Sequence, residues 1–347
     1  MKVIFLYTEI AGYIVNCFNE LANKGHEVHA VRWEVNSEAP FQFELNSNVT
    51  LYDRNKYQNA DSLLSFVKSI NPDKIVCSGW VDKAYLTVCK YYKNSIPTIL
   101  TIDNHWTGSL KQYLARLLSP IYLQTKFSHV WVPGRKQYEF ARKLGFNSTV
   151  IQTGFYTADI SLFEKYFDQN KEAKTIKFPH VFLYVGRYVQ HKGIFGMWEA
   201  FIQLKNEDEN DWQLWCVGTG DQYENKVEHP SVKHFGFVQP DDLGEIISKS
   251  GVYILPSHFE PWGVTLQEFA LAGMPLLCSE KVGAAEVFLE EEKNGFMFPA
   301  NNVKKLKASM KRIIGMDDKS LLDFHYTSAE VGKKINVDIW INTLMKV

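Results

Sequence analysis

Short runs of β-branched and aromatic residues alternate along this chain with longer stretches in which apolar positions return every three or four residues. That alternation is the signature of a parallel sheet with helices on both faces. In the first half the runs predict strands at residues 2–7, 27–32, 49–52, 74–78, 97–102, 129–132 and 148–152, with helical segments between most of them. Asn23-Lys24-Gly25-His26 places a cation in a last helical turn and a glycine at the usual capping position, which closes one strand-helix-strand unit. Asn71-Pro72-Asp73 stops the next helix just before the run Lys74-Ile75-Val76-Cys77.

From Asp159 to Pro179 the chain is charged and carries no strand pattern, so the domain boundary is expected there. His180-Val181-Phe182-Leu183-Tyr184-Val185-Gly186 then begins a second open sheet, continued by strands at 213–217, 232–236, 251–255 and 275–278. From Val303 onward the pattern is helical, and Ile335, Ile339, Trp340 and Leu344 form a stripe that must be buried. Two α/β halves with separate cores are therefore predicted, the size a chain of 347 residues favours.

Composition narrows the class. The chain is 46% hydrophobic and nearly neutral, with 38 Lys and Arg against 39 Asp and Glu; it lacks the basic surplus that draws a whole molecule onto nucleic acid. Cys17, Cys77, Cys89, Cys216 and Cys278 are dispersed without metal-ligand or redox spacing, and reduced buried thiols are expected. The apolar run at Lys2–Tyr7 is too brief for a signal-peptide core, and no stretch has the length of a membrane span. A cytoplasmic address is expected, with the inner face of the membrane as an alternative.

Two open sheets facing a common cleft bind ligands at the carboxyl ends of their strands. The most informative loop of that kind is Ser257-His258-Phe259-Glu260-Pro261-Trp262-Gly263-Val264-Thr265-Leu266-Gln267-Glu268. Pro261 and Gly263 keep Glu260 on a loop, while Glu268 falls about a turn and a half into the next helix. The helix start at Gly263, Val264 and Thr265 offers free N–H groups and a positive dipole end to a phosphate, and the flanking carboxylates can accept hydrogen bonds from hydroxyls. A nucleotide sugar has that sequence of groups: sugar hydroxyls, pyrophosphate, ribose hydroxyls. Tyr184-Val185-Gly186-Arg187-Tyr188-Val189-Gln190-His191-Lys192-Gly193 supplies a guanidinium fork and an ammonium, suited to a leaving diphosphate.

On these motifs, residues 180–300 resemble the C-terminal domain of the GT-B glycosyltransferases of family 4, the retaining nucleotide-sugar enzymes. Gly186, Arg187 and Lys192 match that family's pattern after the first C-terminal strand, and Glu260 and Glu268 match its two-glutamate motif. The resemblance implies an α/β protein of GT-B architecture, two doubly wound Rossmann-like domains facing a cleft. Residues 1–155 would form the acceptor-side domain, joined by a C-terminal helix at about 328–347, and 178–325 the donor domain. It further implies that Arg187 and Lys192 hold the diphosphate, Glu260 the donor-sugar hydroxyls and Glu268 the ribose. Gly218, in Gly218-Thr219-Gly220-Asp221, matches the family's glycine turn, and Phe237-Val238 falls where members hold the nucleobase. In such enzymes a leaving phosphate oxygen deprotonates the acceptor. Stabilising charge on that group would be the main electrostatic contribution. With no D-x-D or His/Cys cluster in the sequence, neither a metal nor a cofactor is called for, the nucleoside-diphosphate sugar being a co-substrate.

The first half departs from the family. Where members carry a glycine pair after strand one, this chain has Thr8-Glu9-Ile10-Ala11-Gly12-Tyr13; Gly12 is the plausible counterpart and Glu9 a candidate for an acceptor hydroxyl. His105 lies after strand 97–102, where members often place a histidine near the donor sugar, and His105 and Trp106 are candidates for the acceptor side. Residues 111–127 mix Lys111, Arg116 and Lys126 with Leu114, Leu117, Leu118, Ile121 and Leu123. With Pro120 interrupting them, they are expected to form a core-facing amphipathic helix, contact with anionic lipid being the alternative. The expected reaction is sugar transfer to a hydroxyl of a glycan or lipid-linked acceptor, in bacterial surface polysaccharide or glycolipid synthesis. Alternatives are a nucleotide-sugar isomerase of the same fold and a non-catalytic binding subunit.

Overall fold

A computed structural model describes residues 1–34, 41–207 and 209–347. They divide into two compact units: 1–34, 41–157 and 335–347 in the first, 158–207 and 209–334 in the second.

The first unit runs β1 (Lys2–Leu6), α1 (Gly12–Asn23), β2 (Glu27–Arg32), β3 (Val49–Asp53), α2 (Ala60–Ile70), β4 (Lys74–Ser78), α3 (Lys83–Tyr92), β5 (Thr98–Thr101), α4 (Leu110–Tyr122), β6 (His129–Trp131), α5 (Arg135–Lys143) and β7 (Ile151–Gln152). Its sheet is wholly parallel, in the order β3-β2-β1-β4-β5-β6-β7. Strands buried on both faces explain the unbroken apolar runs, such as Val3 to Leu6, all closed to solvent. Gly25 ends α1 at φ +83°, its N–H bonded to Ala22 O at 2.9 Å. Asn71 does the same for α2 at φ +54°, a conformation its short polar side chain tolerates.

The second unit contains α6 (Ile160–Ile176), β8 (Val181–Val185), α7 (Ile194–Glu207), β9 (Gln213–Val217), β10 (Val232–His234), α8 (Gly244–Ser248), β11 (Val252–Leu255), α9 (Val264–Leu271), β12 (Leu276–Ser279), α10 (Ala285–Phe288), β13 (Gly295–Phe298), α11 (Val303–Ile314) and α12 (Asp318–Gly332). Its parallel sheet has the order β10-β9-β8-β11-β12-β13. The charged segment at 159–179 is the helix α6, capped by Asp159 and anchored by buried Phe163 and Tyr166.

The chain then returns to the first unit as α13 (Val337–Lys346). Trp340 is fully buried there, its ring 5.0 Å from Trp131 and 6.1 Å from Phe5. Leu344 is buried with it, but Ile339 is exposed and Ile341 takes the inward place, a correction of one residue to the predicted stripe. All five cysteines are buried and reduced.

A larger correction concerns α4. It is not core-facing: Leu110, Tyr113, Leu114, Leu117, Leu118 and Ile121 are all exposed, and Ser119 is its only buried residue.

Candidate functional site

In each sheet the strand order reverses once about its first strand, between β1 and β4 in the first unit and between β8 and β11 in the second. Loops leaving the carboxyl ends of such a pair part in opposite directions and leave a crevice for ligand. The sequence-predicted donor residues sit at the reversal in the second unit. Gly186, Arg187 and Lys192 follow β8, and Glu260 follows β11.

Backbone contacts bind these loops together. His258 N–H bonds to His191 O at 2.7 Å, and a Cβ on Gly193 would lie 2.2 Å from Pro256 O, so that position accepts only glycine. Glycine is required in the same way after β9. A Cβ on Gly218 would stand 2.0 Å from Gly186 O, and one on Gly220 2.6 Å from Tyr188 O. The Gly218-Thr219-Gly220 turn thus lets its backbone lie against the Arg187 loop, where Thr219 O accepts from Tyr188 N–H at 2.8 Å. Tyr184 OH donates to Arg187 O at 2.8 Å from below, while the Arg187 side chain is exposed.

Lys192 and Glu260 meet: the ammonium donates to Glu260 Oε2 at 2.5 Å, with the two side chains only 17% and 12% exposed. Ser257 Oγ donates to the same oxygen at 3.1 Å. The backbone of Glu260 is fixed as well, its carbonyl accepting from Gly283 N–H at 3.0 Å and its own N–H donating to Lys281 O at 3.3 Å. Two histidines border the pair. Burial, together with the charges of Lys192, Arg187 and His258, lowers the His191 pKa, opposed by Glu260. Burial lowers that of His258.

Gly263 begins α9 at φ +92°, with no side chain capping the helix. The first-turn N–H groups of Val264 and Thr265 therefore have no intrahelical acceptor. Thr265 Oγ1 accepts from the buried Tyr253 OH at 2.8 Å. Glu268 follows in the same helix. Its side chain keeps some solvent contact, yet burial, aided by the charge of Asp159, pushes its carboxyl up to about 8. Both glutamates in turn raise the pKa of Tyr253 beyond the effect of its burial. Phe237 and Val238 lie half-buried beyond β10, next to Gly236, whose carbonyl accepts from Gly218 N–H at 2.6 Å.

Ser257, His191, His258, Tyr184 and Tyr253 escaped the sequence reading. The tyrosines look like ordinary strand aromatics, and only the fold turns their hydroxyls toward the site loops. Gln267 was missed too. Fully buried, it accepts from Ala158 N–H at 2.9 Å and donates to Gly332 O at 3.0 Å, holding α9 to both ends of the unit.

In the first unit Glu9 is exposed after β1 and Gly12 opens α1. A Cβ on Gly12 would meet nothing within 4 Å, so packing does not require glycine there. His105 is half-buried beyond β5, its carbonyl accepting from Gln112 Nε2 at 2.7 Å. Trp106 stacks edge-on with Tyr113 at 4.9 Å and leans on Phe140 at 5.8 Å, a packing position.

Residues 166–328 match the family model "Glycosyl transferases group 1". An uncharacterized glycosyltransferase of Methanocaldococcus jannaschii is 29% identical over 127 residues, 34% of this chain and 32% of that protein. A 2-deoxystreptamine N-acetyl-D-glucosaminyltransferase of Niallia circulans is 28% identical over 120 residues, 32% of this chain and 30% of that protein. The matches thus span about a third of the length of these relatives. HepE of Anabaena, solved with UDP and glucose, superposes with a TM-score of 0.74 at 15% identity over 100% of both chains. The fold is therefore GT-B.

Proposed function

We propose, from the premise that residues 166–328 form a group 1 glycosyl transferase domain, that this chain transfers a sugar from a nucleoside diphosphate to an acceptor hydroxyl with retention of configuration. The observation that carries the reading is the Lys192–Glu260 pair at the sheet's reversal point, beside Arg187 and the uncapped start of α9. One side of this group is cationic and suits a diphosphate; the other accepts hydrogen bonds and suits sugar hydroxyls.

In this reading Arg187 and Lys192 bind the diphosphate and stabilise the charge that grows on it as the glycosidic bond breaks. The N–H groups of Val264 and Thr265 add the helix-start contribution. Lys192 approaches the phosphate while remaining bonded to Glu260, so its position is set before the ligand arrives. Glu260 holds the transferred sugar, Glu268 the ribose hydroxyls, and Phe237-Val238 the base. A diphosphate oxygen of the leaving group takes the acceptor proton. His105, Glu9 and Gly12 are assigned to the sugar and acceptor side. The UDP and glucose bound by HepE support a nucleotide-sugar donor, and the acceptor is a glycan or a lipid-linked molecule.

Calorimetry with nucleoside diphosphates tests the reading. Replacing Arg187 and Lys192 together by alanine should weaken affinity at least tenfold, about 1.4 kcal/mol or more. Undiminished affinity in the folded double variant rejects the assignment. With no acidic metal motif in the sequence, transfer is expected to survive chelator; loss of activity restored by magnesium or manganese contradicts that.

A further inference from the structure

Helix α4 is amphipathic in the reverse sense. The positions that face the unit are Gln112, Ala115 and Ser119, small or polar, whereas the large apolar side chains point outward. Leu110, Leu117 and Ile121 are 88%, 75% and 72% exposed. Together with Leu114 and Leu118 they recur at the three- and four-residue intervals that make one continuous stripe, about 16 Å long. Water does not stabilise such a face, and patches of this kind mark interaction sites.

The surroundings say what the stripe meets. On the helical wheel Lys111 and Arg116 flank it on opposite sides, and neither forms an ion pair among the described residues. Lys126 lies over the ring of Tyr122 at 4.1 Å, and Lys143 over Trp106 at 5.3 Å. From Asn104 to Tyr138 there is no Asp or Glu, while Lys111, Arg116, Lys126, Arg135 and Lys136 all fall in that span. An apolar stripe edged by cations and by aromatic rings is the chemistry of a helix lying in the interface of an anionic bilayer. A second copy docking stripe to stripe would set these cations against their own kind.

Among the described residues no helix is long and apolar enough to cross a membrane, and α4 itself, with 13 residues, is suited to lie along the interface. The helix is held for it from behind. Ser109 Oγ caps its start, accepting from Gln112 N–H, and Gln112 Oε1 accepts from the N–H of Thr107 at 2.7 Å and of Gly108 at 3.1 Å. We propose that α4 seats this protein on anionic lipid, with its apolar stripe in the acyl boundary and Lys111 and Arg116 at the headgroups.

Vesicle co-sedimentation of the whole chain tests this independently of glycosyl transfer. Vesicles of phosphatidylcholine containing about a third phosphatidylglycerol should bind at least tenfold more tightly than phosphatidylcholine alone, and added salt should weaken the binding. Leu117→Ser with Ile121→Ser should lower binding at least tenfold. Lys111→Gln with Arg116→Gln should remove the preference for phosphatidylglycerol. Both pairs are exposed, so unchanged thermal midpoints are expected, which separates lost docking from lost folding. Failure of the native chain to bind the anionic vesicles, or equal binding by the serine variant, overturns the proposal. So does a dimer in sedimentation equilibrium that the serine variant dissolves without any lipid binding.

Discussion

Two glutamates eight positions apart sit in opposite electrostatic settings. Glu260 has an ammonium 2.5 Å away; Glu268 has Asp159 as its charged neighbour and a carboxyl pushed up to about 8. In an unfolded chain that carboxyl would titrate near 4.5. Between 4.5 and about 8 the folded state therefore holds a proton that the unfolded state has released, and stability falls as pH rises through that window. Below it the group contributes no difference; above it the loss is complete. Glu268→Gln should thus melt higher than the native chain at pH 8, by about 1–4 kcal/mol, with the gap closing near pH 4. Equal midpoints at pH 8 would contradict the argument. In the proposed donor site the same carboxyl accepts hydrogen bonds from ribose hydroxyls, a role that favours its anion. Binding of a nucleoside diphosphate at pH 7 should then release up to about one proton, read as a binding enthalpy that varies with buffer ionisation heat. Glu268→Gln should show no such dependence.

At the scale of elements, Gln267 helps hold α9 in place beside the packing of its buried apolar face. Gln267→Ala removes its bonds to Ala158 N–H and Gly332 C=O, and should lower the stability of the second unit by about 1–3 kcal/mol in thermal unfolding. A loss below about 0.5 kcal/mol would show that these groups find other partners. Much of this level could be read from sequence. Runs such as Val181–Val185 are strands because nothing polar interrupts them, and Gly25 and Asn71 mark helix ends because they tolerate positive φ. β13 was not found: Gly-Phe-Met-Phe is short, and Met297 faces out. Helix α6 was masked by its charges, which are mostly solvated, while Lys174 is buried. The orientation of α4 was illegible because periodicity fixes which residues share a face and not which way that face points. Motif spacing carried Glu260, Glu268, Arg187 and Lys192; the hydroxyls and imidazoles around them carry no spacing of their own.

For the whole molecule, the division into two units makes the unfolding of each separately addressable. Trp340→Ala removes a buried ring that packs on Trp131 and Phe5, a loss of about 3–5 kcal/mol, and all of it falls on the first unit. At the proposed donor site, a nucleoside diphosphate at one hundred times its Kd should stabilise the second unit instead, by about 2.7 kcal/mol. Calorimetric scans should show the variant lowering one transition and the ligand raising the other. Both perturbations moving the same transition would mean that the units melt as one.

The return of α13 to the first unit also sets an order of assembly during synthesis. When residue 334 leaves the ribosome, the second unit has all its strands, whereas the first still lacks the side chain that lies between Phe5 and Trp131. The half of the chain made first is thus the last to be finished. Until Trp340 arrives, its nascent core is a site where a chaperone, or the wrong hydrophobic segment, can bind.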